Sequence, residues 1–244
     1  MKIGILGAGN IGKRLARKLA AAGHDVKVAH AGAPDKIPAE ALETGARATT
    51  AEAAMHDIDV AILSMPYTAY DAVKPLVQAL PDETVVIDTA NYFPKRDVEI
   101  PEIEAGKAES VWVQDFIGRP ITKAWNTIYM LSLGEHGRPK GDPERIAAPI
   151  SGDRARDREV AIALMNDTGF DGFDAGALAD SWRQQPASPV YCTDLTYEEI
   201  APALASAQRE RLPKRRELAN AVFEERRDEL TAESVARIYR ALSM

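Results

Sequence analysis

A single cysteine, Cys192, stands among 244 residues. One thiol can form neither an internal disulfide nor a cysteine-based zinc site, which excludes a disulfide framework and a zinc ribbon. In such a chain it reads as a small buried apolar side chain. Long hydrophobic runs are missing as well. No stretch approaches the roughly 20 apolar residues of a membrane span, and the opening "IGILGAG" passes straight into a charged amphipathic stretch, unlike a signal peptide. Positive charge is not in excess: 30 Lys and Arg face 37 Asp and Glu, a net charge of −7. That balance argues against nucleic acid or an anionic membrane as partner. No Ser-His-Asp order and no metal-ligand spacing stands out. The expectation is a soluble, cytoplasmic globular protein with length enough for a full core.

What is present is an alternation of short apolar runs with amphipathic stretches. Ile3, Ile5 and Leu6 read as a strand, residues 10–22 as a helix ended by Gly23, and "DVKVAH" as a second strand. "TTAEAAMHD" opens a short helix with Thr49 and Glu52 spaced as a capping box. "DVAILSM" and "ETVVIDT" read as buried strands on either side of a helix near residues 68–79. The pattern predicts an α/β fold with a doubly wound parallel sheet. It continues less regularly: "ESVWVQD" and "PITKAWNT" flank a loop, "ERIAAPISGD" is strand-like, "RDREVAIALMNDT" helical and "GFDGFDAG" a short strand. From Thr196, which forms a second capping box with Glu199, the chain turns helical and charged, with Pro213 as a separator. The expected organisation is a sheet domain over 1–195 and a helical appendage over 196–244. Leu218, Val222 and Phe223 share one helical face and Val235, Ile238 and Leu242 another. Those faces either fold back on the chain or meet a second copy in a homodimer.

"GILGAGNIGKRLA" carries the first chemical signal. Gly7, Gly9 and Gly12 follow a strand and precede a helix in G-x-G-x-x-G spacing. The first glycine permits the tight turn, the second lets backbone approach a pyrophosphate, and the third lets helix pack on strand. Amides around Asn10 and Ile11 then face the phosphates, with the helix dipole behind them. At the end of the second strand an acidic residue would select NAD by bonding its ribose. Here Ala29, His30 and Ala31 stand there, with His30 and Lys36 the nearest partners for a 2′-phosphate. The reading favours NADP over NAD as cofactor.

The stretches "MKIGILGAGNIGKRLARKLAAAGHDV", "DVAILSMPYTAYDAV", "VVIDTANYF", "ITKAWNTI" and "PISGDRARDREVAIALMNDTGFDGFDAGAL" together resemble the deazaflavin-dependent NADP oxidoreductases and their bacterial relatives. They are also similar to the N-terminal domains of 6-phosphogluconate and hydroxyisobutyrate-type dehydrogenases. The resemblance implies a Rossmann-type domain with the dinucleotide along the strand C-termini and a deazaflavin stacked on the nicotinamide. It places Ser64, Met65, Pro66 and Tyr67 along the cofactor path, Ala90 and Asn91 near the nicotinamide ribose, and Lys123–Thr127, with Asn126, close to the nicotinamide. After "DAGAL" the chain departs from the family: Trp182 and Gln185 replace the usual arginine and glutamate.

Hydride transfer between stacked rings asks for positioning more than acid–base groups. The first expectation is therefore an NADP-dependent oxidoreductase passing hydride to or from a deazaflavin, flavin-like or other small acceptor. The second is a carbonyl or hydroxy-acid dehydrogenase with Lys123 as proton donor. The third is a dinucleotide-binding sensor without turnover, whose charged tail engages another protein. The aromatic residues Trp125, Tyr129, Trp182 and Tyr191 are candidates for a flat ring pocket.

Overall fold

The alternating apolar runs assemble into one eight-stranded sheet in the computed structural model, which describes residues 1–226 and 229–243. β1 (Lys2–Leu6) lies between β2 (Asp25–Ala29) and β4 (Val60–Leu63). β3 (Arg47–Ala48) forms the edge beyond β2, and β5 (Val85–Asp88) and β6 (Thr122–Lys123) continue past β4, all parallel. The direction then reverses. β7 (Ala147–Gly152) pairs antiparallel with β6, and β8 (Asp171–Asp174) runs parallel to β7.

Every residue of β4 and β5 is buried, because helices cover both faces. Alternate side chains feed two cores. Ile3, Ile5, Ile62 and Ile87 meet α1 (Gly12–Ala21) and α8 (Ala155–Asp167) through Leu15, Leu19 and Leu164. Leu6, Leu63 and Val86 meet α3 (Tyr70–Gln78) and α6 (Glu109–Ile117) through Tyr70, Val77, Val113 and Ile117. The expected doubly wound α/β fold is the observed one, extended by β6–β8.

Local details differ from the sequence reading. The first helix begins at Gly12 and ends at Ala21. The cap of α2 (Ala51–Ala54) is Thr50, whose hydroxyl accepts the Ala53 N–H at 3.3 Å; the Thr49 N–H is taken by the Val28 carbonyl at 3.0 Å. A 3-10 turn at Tyr67–Ala69 precedes α3. Short helices α4 (Pro94–Asp97) and α5 (Pro101–Glu104) each start on a proline, where the missing N–H costs nothing. "ESVWVQD", given no element from sequence, lies in α6, its Glu109, Ser110 and Val113 buried. α7 (Met130–Glu135) follows β6.

The tail folds back over the sheet domain. The capping box of Thr196 and Glu199 opens α9 (Tyr197–Ser206) as expected. The expected break falls just before Pro213, which sits in the first turn of α10 (Leu212–Glu225). The buried face of α10 carries Leu212 and Ala219, whereas Leu218 is 48% exposed. α11 (Ala232–Ser243) buries Val235, Ala236 and Tyr239, and Val235 and Tyr239 join Tyr191 and Cys192 in one apolar cluster. Arg240 ties the helix down by donating to the carbonyls of Thr193 (2.8 Å) and Asp194 (3.0 Å). No described helix is long and apolar enough to cross a membrane.

Candidate functional site

Each glycine of the loop answers a different geometric demand. Gly7 has φ +107°, and a Cβ there would stand 2.0 Å from the Ser64 carbonyl oxygen. A Cβ on Gly12 would stand 1.8 Å from the Gly7 carbonyl oxygen, so close packing of α1 on the strand requires glycine. Gly9 has no such reason. Its φ lies outside the left-handed region, and a Cβ would meet nothing within 4 Å. Of the sixteen glycines, Gly9 alone combines an ordinary φ with open space. That space lies before the N-terminus of α1, which has no capping side chain and no acidic residue in its first turn. The N–H groups of Asn10 and Ile11 find no acceptor among the described residues. Free amides backed by a helix dipole form a site for an anion.

The loop opens onto a cavity of about 430 Å³ at the C-terminal ends of β1, β4, β5 and β6. Gly9, Asn10 and Ile11 form one wall; Ser64, Met65 and Pro66 follow β4; Thr89, Ala90 and Asn91 follow β5. Trp125, Asn126 and Ile128 come from the segment after β6. The far end is built by Phe93, Arg96, Tyr129, Met130, Tyr191 and Cys192. Trp125 (φ 57°) and Cys192 (φ 53°) adopt left-handed backbone unusual for side-chain-bearing residues, and such strain concentrates at functional sites.

An amide network braces the floor. Asn91 Nδ2 donates to the Asn126 carbonyl at 2.9 Å, and Asn126 Nδ2 donates to Asn91 Oδ1 (3.0 Å) and the Gln184 carbonyl (2.7 Å). Gln184 Nε2 donates to Asn126 Oδ1 at 3.0 Å, and the Ser151 hydroxyl donates to Gln184 Oε1 at 2.7 Å. Both amide hydrogens of Asn126 are consumed, so this residue supports the wall more than it offers bonds to a ligand.

Lys123 is not where a proton donor would have to be. Its side chain is 0% exposed and does not line the cavity; its ammonium donates to Asp88 Oδ2 at 2.8 Å and to the Ala90 carbonyl. Asp88 also accepts from the Tyr70 hydroxyl and from the Ala90 N–H (3.1 Å). Since a buried charge needs its partner, Lys123 holds β6 to the end of β5 and shapes the turn beneath Asn91. Tyr67 is corrected as well: it is buried among Tyr70, Tyr92 and Trp112 rather than in the cavity wall. Trp182 stacks with Arg183 and Arg209 outside the cavity.

His30 and Lys36 also lie outside the cavity lining. His30 Nδ1 accepts the Gly32 N–H at 2.9 Å, leaving a buried Nε2 without a partner. Lys36 is exposed, 3.8 Å from Asp35. Phe93 closes the stretch "VVIDTANYF" but carries no role from sequence, and Arg96 has no motif to announce it; the signal available is the "PKRD" helix start shortly beyond β5.

Among the described residues, no Asp, Glu, His or Lys lines the cavity. Burial pushes the Cys192 thiol and the Tyr129 and Tyr191 phenols upward from their ordinary values, so each keeps its proton at neutral pH. Behind the wall, burial raises Glu109 to about 7 against the pull of Lys123 and of the Tyr92 N–H, which it accepts at 3.1 Å.

Residues 2–92 match the family described as NADP oxidoreductase, coenzyme F420-dependent. That segment is thus similar to NAD(P)-dependent oxidoreductases. It supplies the glycine loop and the walls after β4 and β5. YjhV of Escherichia coli K12 is 46% identical over 63 residues, 25% of this chain and 46% of that protein, so the chain spans about half the length of this curated relative. The hypothetical protein SMa0349 of Sinorhizobium meliloti is similar over 74% of this chain and 87% of its own, with 26% identity and a TM-score of 0.60. A protein provisionally described as an F420-dependent NADP reductase, from Arthrobacter sp. FB24, shares the fold at 19% identity and a TM-score of 0.54, over 72% of this chain and 85% of its own. A pyrroline-5-carboxylate reductase of Coxiella burnetii shares it across 98% of this chain and 76% of its own, at 13% identity and a TM-score of 0.52.

Proposed function

We propose that the protein is an NADP-dependent oxidoreductase that moves hydride between the nicotinamide and a deazaflavin, flavin-like or other small acceptor. Gly9 carries the reading: nothing in the fold requires glycine there except room for a ligand against the amides of Asn10 and Ile11. A bound dinucleotide would give or take the hydride, and the residues present fit it. Asn10 and Ile11 would hold the pyrophosphate, Ser64 to Pro66 the path toward the ring, and Ala90 and Asn91 the nicotinamide ribose. His30 Nε2 and Lys36 are the groups proposed for the 2′-phosphate. Phe93, Tyr129, Met130 and Tyr191 leave an aromatic end for the acceptor. The scarcity of ionisable groups there suits a hydride transfer that needs no proton in the same step, the proton that balances the reduced ring being exchanged with solvent, since hydride passage between rings asks chiefly for alignment. The dehydrogenase alternative lacks its donor, because Lys123 is sealed behind the wall. The sensor alternative is disfavoured because α11 is packed onto Tyr191 and Cys192 instead of standing free.

Calorimetric titration with NADP and with NAD tests the proposal, using Gly9→Trp as control. Tight NADP binding, weaker NAD binding and loss of both in the variant are expected. Absent binding to the wild-type protein overturns the oxidoreductase reading, and equal binding of the two dinucleotides overturns the assignment of NADP.

A further inference from the structure

One formally charged side chain lines the cavity among the described residues, and it is Arg96. It does not hang free. Nε and Nη2 donate to the two carboxylate oxygens of Asp97 at 2.9 and 2.6 Å, and Nη2 also donates to the Asn91 carbonyl at 2.6 Å. The guanidinium lies 5.1 Å from the centroid of Phe93, itself part of the cavity wall. Asp97 is fixed in turn. Its side chain is 0% exposed, and it accepts the N–H groups of Phe93 (2.9 Å) and Tyr67 (3.3 Å). One edge of the fork is thus locked by a buried carboxylate, while Nη1 makes no hydrogen bond to the described residues.

Neutralising the buried Asp97 occupies Nε and Nη2 and gives that edge of the guanidinium a structural role, but it leaves Nη1 without a partner on the cavity side. An arginine held on one edge with its other nitrogen free presents ordered donors to a carboxylate or phosphate. The pyrophosphate already has its own donors in the glycine loop, on another wall. We propose that Arg96 determines acceptor specificity: the acceptor carries a carboxylate or phosphate group that Arg96 Nη1 binds at the aromatic end of the cavity. This rests on the oxidoreductase reading, which gives the rest of the cavity to the nicotinamide.

Two matched pairs of probes test it, FMN against riboflavin and oxalate against oxamide, each with one anionic and one neutral member. They are titrated into wild-type protein, Arg96→Gln and Arg96→Lys, with and without saturating NADP, following flavin fluorescence or heat. In at least one pair the anion should bind the wild type about tenfold to a hundredfold more tightly than its neutral partner. Arg96→Gln should abolish that preference without changing the neutral partner's affinity, and Arg96→Lys should restore part of it. Equal binding within both pairs, no binding by any probe, or a preference that survives Arg96→Gln overturns the proposal. So does a loss of NADP affinity in Arg96→Gln as large as the loss for the anion, because the cation would then serve the cofactor. Wild-type protein that binds no dinucleotide fails the oxidoreductase reading instead, and the titrations without NADP still report on Arg96.

Discussion

Glu109 makes stability depend on pH in a direction that can be worked out in advance. The carboxyl is fully buried at the start of α6, one oxygen accepting the Tyr92 N–H and the other without a partner. Burial raises it from 4.5 to about 7. Between those values the folded protein binds a proton that the unfolded chain has released, so unfolding becomes easier as pH rises. The contribution is fully present below 4.5 and is lost through 7. At 1.36 kcal/mol per unit, the difference amounts to roughly 3 kcal/mol, most of it disappearing between pH 5 and 8. Glu109→Gln keeps an oxygen for the Tyr92 N–H and removes the ionisation. Urea denaturation of both proteins at pH 5, 6, 7 and 8 reads the effect as the difference between two stability profiles. The wild type should lose about 2–3 kcal/mol more than Glu109→Gln over that range. Parallel profiles would refute the reasoning, and a wild-type profile that rises with pH relative to the variant would reverse its sign.

The other expectations follow from packing and pairing. Lys123→Met leaves Asp88 buried without its cation and should cost about 3–5 kcal/mol in urea denaturation; a loss below about 1 kcal/mol would deny the ion pair a structural role. Gly9→Ala fills open space and should spare the melting temperature while weakening dinucleotide binding in calorimetry. Gly12→Ala drives a Cβ into the Gly7 carbonyl and should lower stability by at least about 1–3 kcal/mol. Similar stability for the two variants would count against the division of roles within the loop. Tyr239→Ala removes a buried ring from the Tyr191–Cys192 cluster, costing about 3–5 kcal/mol and speeding the labelling of Cys192 by a thiol reagent. Labelling at the wild-type rate would mean that α11 does not shield the thiol.

The glycine loop was legible because its demands are local: a turn, an open amide cluster and a close helix contact all fall within six residues. The parallel strands were legible because burial on both faces leaves continuous apolar runs. Lys123 was not, since its partner Asp88 lies 35 residues earlier, and only the family resemblance set a lysine beside a nicotinamide. The helix of Glu109–Ile117 escaped because its buried face mixes Glu109 and Ser110 with Val113 and Ile117, blurring the apolar period. The reversal between β6 and β7 depends on pairing of only two residues from β6, too short a strand to carry a pattern. Thr50 displaced Thr49 as cap because the Thr49 backbone is drawn onto β2, a competition settled in three dimensions.

The cavity straddles residue 92, where the family match ends. Everything proposed to grip the dinucleotide precedes that point, while Phe93, Arg96, Tyr129, Met130, Tyr191 and Cys192 come after it. Under the proposed function, the two occupants are read by separate stretches of one chain that meet only in space. A side chain exchanged on the later walls is then expected to change the choice of reaction partner while leaving the grip on the nucleotide in place.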